Sequence, residues 1–196
     1  MRTGLLLPHF SMHSTWDRAV GMAPAIERMG FDSVWARDNL AYSGHGFELS
    51  GDRFIDPFVL LSTIAGETQR LGLGTAVTIP FRHPAVTAQL VGSLCWTSKG
   101  RFEIGMGPGT PTKPFEITGI PYEKRIDLCK ETVEVLRALS SGRAVSYHGE
   151  ITQFDDMLLD PAPDADLTVW YGGATNASIR RTVEYCNGLL PGRCPF

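Results

Sequence analysis

Leu71-Gly72-Leu73-Gly74-Thr75-Ala76-Val77-Thr78-Ile79-Pro80 leads into Phe81-Arg82-His83-Pro84, and one helical stretch later comes Arg101-Phe102-Glu103-Ile104-Gly105-Met106. The first run is a short, mostly apolar segment bounded by proline, which reads as a buried strand. His83-Pro84 is a cap followed by proline at the first helical position, where the missing N–H costs nothing. The run from Arg101 to Met106 is the next strand. The stretch is therefore one strand–helix–strand unit.

The same alternation extends in both directions. Upstream, Gly4 to Phe10 reads as a buried strand. Ser14 is expected to cap a helix, with Asp17 at capping-box spacing and Trp16, Ala19, Ala23 and Ile26 on one buried face. Gly30 stops that helix, and Ser33 to Arg37 is the second strand. Asp56-Pro57 repeats the cap-plus-proline pattern for a helix running to about Thr68. Downstream, Gly107 to Lys124 reads as a long loop. Ile126, Cys129, Val133 and Leu136 mark a helix face, and Val145 to Phe154 a small hairpin turning at His148-Gly149. Leu167 to Tyr171 is a fifth strand. A fifth helix is expected to bury Ile179, Val183 and Cys186, and Gly188-Leu189-Leu190 is a sixth strand. The tryptophans and methionines fall mostly on helix faces, where core packing is the default.

Six strands and five helices in alternation predict an α/β fold with a parallel sheet and helices outside it. An open doubly wound sheet and a (β/α)8 TIM barrel both fit. Barrels of this kind typically take about 250 residues, so six of eight strands in 196 residues would be an incomplete barrel. No linker divides the chain, and residues 1–196 read as a single domain.

Bulk properties narrow the function. A net charge of -3, with no basic run longer than Arg180-Arg181, argues against nucleic acid as a partner. No apolar stretch has the ~18 residues a membrane span needs. The N-terminal leucines end at Pro8 and read as a strand, not a signal peptide. Cys95, Cys129, Cys186 and Cys194 form no C-x-x-C pair, which suits reduced thiols and a cytoplasmic location. His9 and His13 lie in a strand end and loop rather than at helical spacing, so no metal is expected.

The strand ends carry a resemblance. Gly30 to Asn39, Leu73 to Val77 with Pro80 to Pro84, Leu94 to Gly107, Arg125 to Leu136, Val169 to Ala174 with Ile179 to Arg181, and Gly188 to Arg193 resemble, in order, successive strand–helix motifs of the luciferase-like monooxygenase family. The resemblance implies a flavin-dependent (β/α)8-barrel oxidoreductase acting on a small organic substrate. With reduced FMN, oxygen would take part; with the deazaflavin coenzyme F420, the reduced ring would move a hydride. It implies also a homodimer and a flavin reductase as source of reduced flavin.

Site residues follow from the same comparison. The resemblance implies a non-proline cis peptide at Ala76-Val77 that backs the flavin ring. Gly172-Gly173-Ala174, between strand and helix, reads either as a tight turn or as a phosphate cradle at a helix N-terminus; the resemblance favours cofactor binding. Asn39 stands where many members carry a histidine that serves the reaction centre, and an amide can hydrogen-bond but not relay a proton. His83 reads as a capping residue or, from its place at a strand's C-terminal side, as part of the reaction centre. Asn39 and His83 are the catalytic candidates. The loops 39–54, with Tyr42, His45 and Phe47, and 107–124 are candidate substrate lids; Gly105 to Gly109 is equally a mobile or a plain connecting loop. The rival expectation is a truncated, catalytically silent barrel fragment stabilised by self-association, since open strand edges need covering.

Overall fold

The structure is a computed structural model that describes residues 1–40 and 53–192. Tyr42, His45, Phe47, most of the first candidate lid, Arg193 and Cys194 lie outside the described residues.

Six parallel strands form one sheet: β1 (Gly4–Leu6), β2 (Ser33–Ala36), β3 (Gly72–Thr75), β4 (Phe102–Met106), β7 (Val169–Gly172) and β8 (Gly188–Leu190). Their spatial order β1-β2-β3-β4-β7-β8 follows the chain. A doubly wound sheet reverses its order at a switch point. Here each strand is added on the same side, so the sheet curls into a half-barrel of the TIM type. The intervening β5 (Val145–His148) and β6 (Gln153–Met157) form a separate antiparallel hairpin.

Register divides the sheet into two faces. Val34 pairs with Leu73, Leu73 with Phe102, and Ile104 with Val169. These residues are buried against the helix layer of α2 (Pro57–Glu67), α3 (Pro84–Ser98) and α5 (Arg125–Leu139), which supplies Leu61, Ile64, Val91, Leu94, Val133 and Leu136. The alternate positions face the barrel interior. There the Trp35 and Trp170 rings meet edge to face at 6.4 Å. Trp35 lies so close over Gly74 that a Cβ there would stand 2.3 Å from its Cε3. Trp16 and Trp96 are 65% and 73% exposed. The tryptophans that pack are thus on strands, not on helix faces.

Helix starts hold for α2 and α3. Asp56 Oδ1 accepts from Phe58 and Val59 N–H, and His83 Nδ1 accepts from Ala85 N–H at 3.2 Å. The first helix differs. The Ser14 hydroxyl is buried without a hydrogen-bond partner and caps nothing. Thr15 Oγ1 accepts from Arg18 N–H instead, and a wide π turn over Asp17–Gly21 precedes α1 (Ala23–Arg28). That wide turn breaks the even spacing and leaves Trp16 outside the face formed by Ala19, Ala23 and Ile26.

The segment 107–124 is not a plain loop. It holds α4 (Lys113–Thr118), anchored by Phe115 buried on Ile79 and Phe81 and ended by Gly119 at φ 72°. A six-residue helix pinned by one aromatic has too little periodicity to read from sequence. In α6 (Asn176–Tyr185), Ile179 and Val183 are 49% and 83% exposed rather than buried. Among the described residues no element covers that side of the helix.

Candidate functional site

The C-terminal ends of parallel barrel strands are where sites form. Four sequence candidates gather there. The Ala76–Val77 peptide after β3 is cis. Thr78 then bridges to Met106, and its N–H donates to Gly105 O at 2.7 Å, which ties the bulge to β4. Thr75, Thr78 and Gly105 are linked further through the two threonine hydroxyls, with Thr78 donating to Thr75 at 2.9 Å and Thr75 to Gly105 O at 3.1 Å.

Val77 projects across to the neighbouring strands. A Cβ on Gly107 would stand 2.7 Å from Val77 Cγ2, and one on Gly172 2.6 Å from Val77 Cγ1. The absent side chains at these glycines make the space that Val77 fills. So Ala76–Val77 and Gly172, distant in sequence, form one surface. Gly173 continues it; its N–H donates to Leu190 O at 3.1 Å. Thr175 caps α6 by accepting from Ser178 N–H, and Ala174 lies exposed just before the helix.

Asn39 follows β2. Its Oδ1 is buried and has no hydrogen-bond partner among the described residues. An unmet buried acceptor costs free energy unless a ligand supplies the donor. His83 is exposed and its Nδ1 is committed to the α3 cap. The structure bears out the capping reading of His83 and brings no described bond from it to Asn39.

Two residues that sequence reasoning passed over stand beside Asn39. Asp38, with no side-chain exposure, takes a bidentate pair of bonds from Arg82 at 2.6 and 3.0 Å. Burial works against the charge on Arg82, but Asp38 and Asp56 outweigh it and raise the guanidinium's pKa. The signal available in sequence was the Asp two residues after β2 and the Arg directly before the His83-Pro84 cap. His9, fully buried after β1, places Nδ1 3.1 Å from Leu7 O and Nε2 2.9 Å from Arg37 O. Burial lowers its pKa, against the upward pull of those carbonyls.

A cavity of about 220 Å³ opens at the opposite, N-terminal end of the strands, beside Arg2, Arg101 and Glu103. Arg101 is spent there on the carbonyls of Ala65, Thr68, Leu71 and Ser98, and Arg2 pairs with Glu103 at 3.1 Å. Those contacts tie helix ends to strand starts. Among the described residues no group of three or more His, Cys, Asp or Glu could hold a metal, and no helix is long and apolar enough to cross a membrane. Cys95 and Cys129 are buried free thiols, and Cys186 is half-buried.

Six parallel strands added in chain order, with helices packed outside them, define a half-barrel of the TIM class. The chain belongs to the luciferase-like monooxygenase family, whose family model matches residues 1–195. It is 30% identical to the F420-dependent hydroxymycolic acid dehydrogenase of Mycobacterium tuberculosis over 191 residues, covering 95% of this chain and 51% of that one. Its fold matches that of an F420-dependent secondary alcohol dehydrogenase in complex with an F420–acetone adduct at a TM-score of 0.84, with 23% identity over 97% of this chain and 58% of that one. It also matches the oxygenating constituent of 3,6-diketocamphane monooxygenase from Pseudomonas putida in complex with FMN at a TM-score of 0.76, with 20% identity over 94% and 55%. These two likenesses show the fold. The chain spans 64% or less of the length of these and the other first relatives it matches.

Proposed function

We propose that this chain holds the cofactor of an oxidoreductase that uses a reduced flavin-type cofactor, F420 or FMN, on a small organic substrate. The observation that carries the reading is the buried Asn39 Oδ1 after β2, without a hydrogen-bond partner among the described residues, together with the surface that Val77 and Gly172 build at the ends of β3 and β7. These residues fit such a group: an acceptor awaiting a donor, and a flat apolar backing with glycines behind it. Ala76 and Val77 would back the ring. Gly172, Gly173 and Ala174, beside the α6 N-terminus, would face its phosphate. Asn39 would hold a polar edge of cofactor or substrate by hydrogen bonding, without relaying a proton. His83 would serve the reaction centre through its free Nε2. When bound, the reduced cofactor supplies the electrons of the reaction, and the protein orients and shields it.

The relative named for F420 at 30% identity supports F420 over FMN, and with it a hydride-transfer reaction that does not need oxygen. Cytoplasmic location, a homodimer and, for FMN, a separate reductase belong to the same reading. The test is titration of the purified protein with F420 and with FMN, followed by the cofactor's visible absorbance and by tryptophan fluorescence, since Trp35 and Trp170 line the barrel interior. Saturable binding of either supports the reading. Binding of FMN alone sinks the F420 assignment, and binding of neither sinks both.

The exposed Leu6, Ile179 and Val183 favour a second reading, self-association without turnover. Light scattering during size exclusion checks it. A flavin-loaded monomer that turns over removes it.

A further inference from the structure

The candidate site stands on two backbone segments, residues 37–39 after β2 and 76–79 after β3. The Asp38 carboxylate bridges them by accepting from Ile79 N–H, and Arg82 holds that carboxylate. Arg82 donates through Nη1 to Asp38 Oδ2 and through Nη2 to Asp38 Oδ1, at 2.6 and 3.0 Å. The same Asp38 carboxylate accepts from Ile79 N–H at 3.2 Å. Arg82 Nη2 donates also to Asp56 Oδ2 at 2.7 Å, while the other Asp56 oxygen caps α2. The guanidinium lies 4.3 Å from the Phe81 ring centroid and 5.5 Å from that of Phe58.

A buried ion pair adds little stability beyond what apolar packing of the same volume would give. What it does supply is direction. A planar fork against a carboxylate fixes angle as well as distance. Asp38 is the direct neighbour of Asn39, and Ile79 lies two residues beyond Val77. We propose that Arg82 is a positioning residue of the candidate cofactor site: by holding Asp38, and through it Ile79, it sets where Asn39 Oδ1 stands relative to the Ala76–Val77 step. The inference rests on the reading of those residues as a cofactor site. Arg82 acts through Asp38 and needs no contact with the cofactor. Charge at residue 82 is therefore not enough, because a lysine reaches one carboxylate oxygen as a point charge and leaves the angle free.

The test uses Arg82→Lys, Arg82→Met and the double variant Asp38→Asn/Arg82→Met. In cofactor-free protein, the NMR signals of the Asn39 side-chain amide and the Ile79 N–H are followed, with Ile104 N–H in β4 as the remote control. Cofactor dissociation constants and thermal midpoints are measured on the same samples. Arg82→Lys is expected to move the Asn39 and Ile79 signals, leave Ile104 in place, and weaken cofactor binding. The double variant removes the lone buried charge, so its midpoint returns toward wild type while binding stays weak. Should Arg82→Met fail to fold, Arg82→Lys and the double variant decide. Unmoved Asn39 and Ile79 signals in Arg82→Lys, or binding that recovers in step with the midpoint in the double variant, overturn the proposal while wild-type binding stands. Wild-type protein that binds neither FMN nor F420 overturns the site reading and the proposal's functional half together.

Discussion

Val77 occupies the space left by the missing side chain of Gly172: a Cβ there would stand 2.6 Å from Val77 Cγ1 and 3.2 Å from Cγ2. Two strand ends that α3, α4 and α5 separate along the chain are thereby held in contact. Gly172→Ala would force Val77 to shift. Overpacking of this kind costs roughly 1–3 kcal/mol. We expect a lowered thermal midpoint and weaker cofactor binding in Gly172→Ala, read by thermal denaturation and cofactor titration. Unchanged binding would mean that Val77 does not back the ring.

Asn39→Ala should separate binding from stability. Among the described residues the Oδ1 atom has no partner to lose, so removing it strands none of them. The midpoint should change little, within the roughly 0.5 kcal/mol typical of neutral substitutions, while cofactor affinity or turnover falls. A large stability loss with intact binding would assign Asn39 to the framework instead.

His9 gives a pH dependence with a definite sign. Burial lowers its pKa in the folded state, while the unfolded chain keeps the ordinary value near ~6.5. The unfolded state then binds more protons as the pH falls. The contribution of neutral His9 is complete above about 6.5 and is lost as the pH drops toward the lower folded value. Urea midpoints between about pH 7.5 and 5 should fall for wild type and run flatter for His9→Gln. Parallel slopes would exclude His9 as the source.

Glu131 anchors the β5–β6 hairpin. Its two carboxylate oxygens accept from Ile151 N–H at 3.0 Å and Thr152 N–H at 2.8 Å, and the residue is 7% exposed. Glu131→Ala leaves both donors unmet, at a cost of about 1–3 kcal/mol. Hydrogen exchange should quicken at Ile151 and Thr152 and stay slow at Val34 and Ile104, because the hairpin does not share the main sheet. Loss of protection in the barrel strands would show that the hairpin is part of their cooperative unit.

Much of the fold was legible because it is written in local patterns. Asp56-Pro57 and His83-Pro84 announce α2 and α3 by capping chemistry that needs no distant partner. Ser14 announced a cap in the same way and misled, because the turn that follows is wide and Thr15 takes the bond. Ile179 and Val183 misled for another reason: spacing shows that two apolar residues share a helix face, not whether anything covers it. Of the candidate site, Val77 stands against Gly172 at the ends of β3 and β7, and Asn39 follows β2. Arg82 and Asp38 escaped notice, since a charged residue at a strand end reads as a solvated one until a partner 44 residues away is seen against it.

The sequence by itself determined the alternation of strand and helix, the family, and the residues at each strand end, because periodicity, caps and motif order are properties of neighbours along the chain. Only the tertiary structure decided between an open sheet and a curling one, which depends on the side to which each strand is added. It alone placed Val77 against Gly172, tied Asp38 to Arg82 and left Asn39 Oδ1 without a partner, because those relations are set by how distant segments meet.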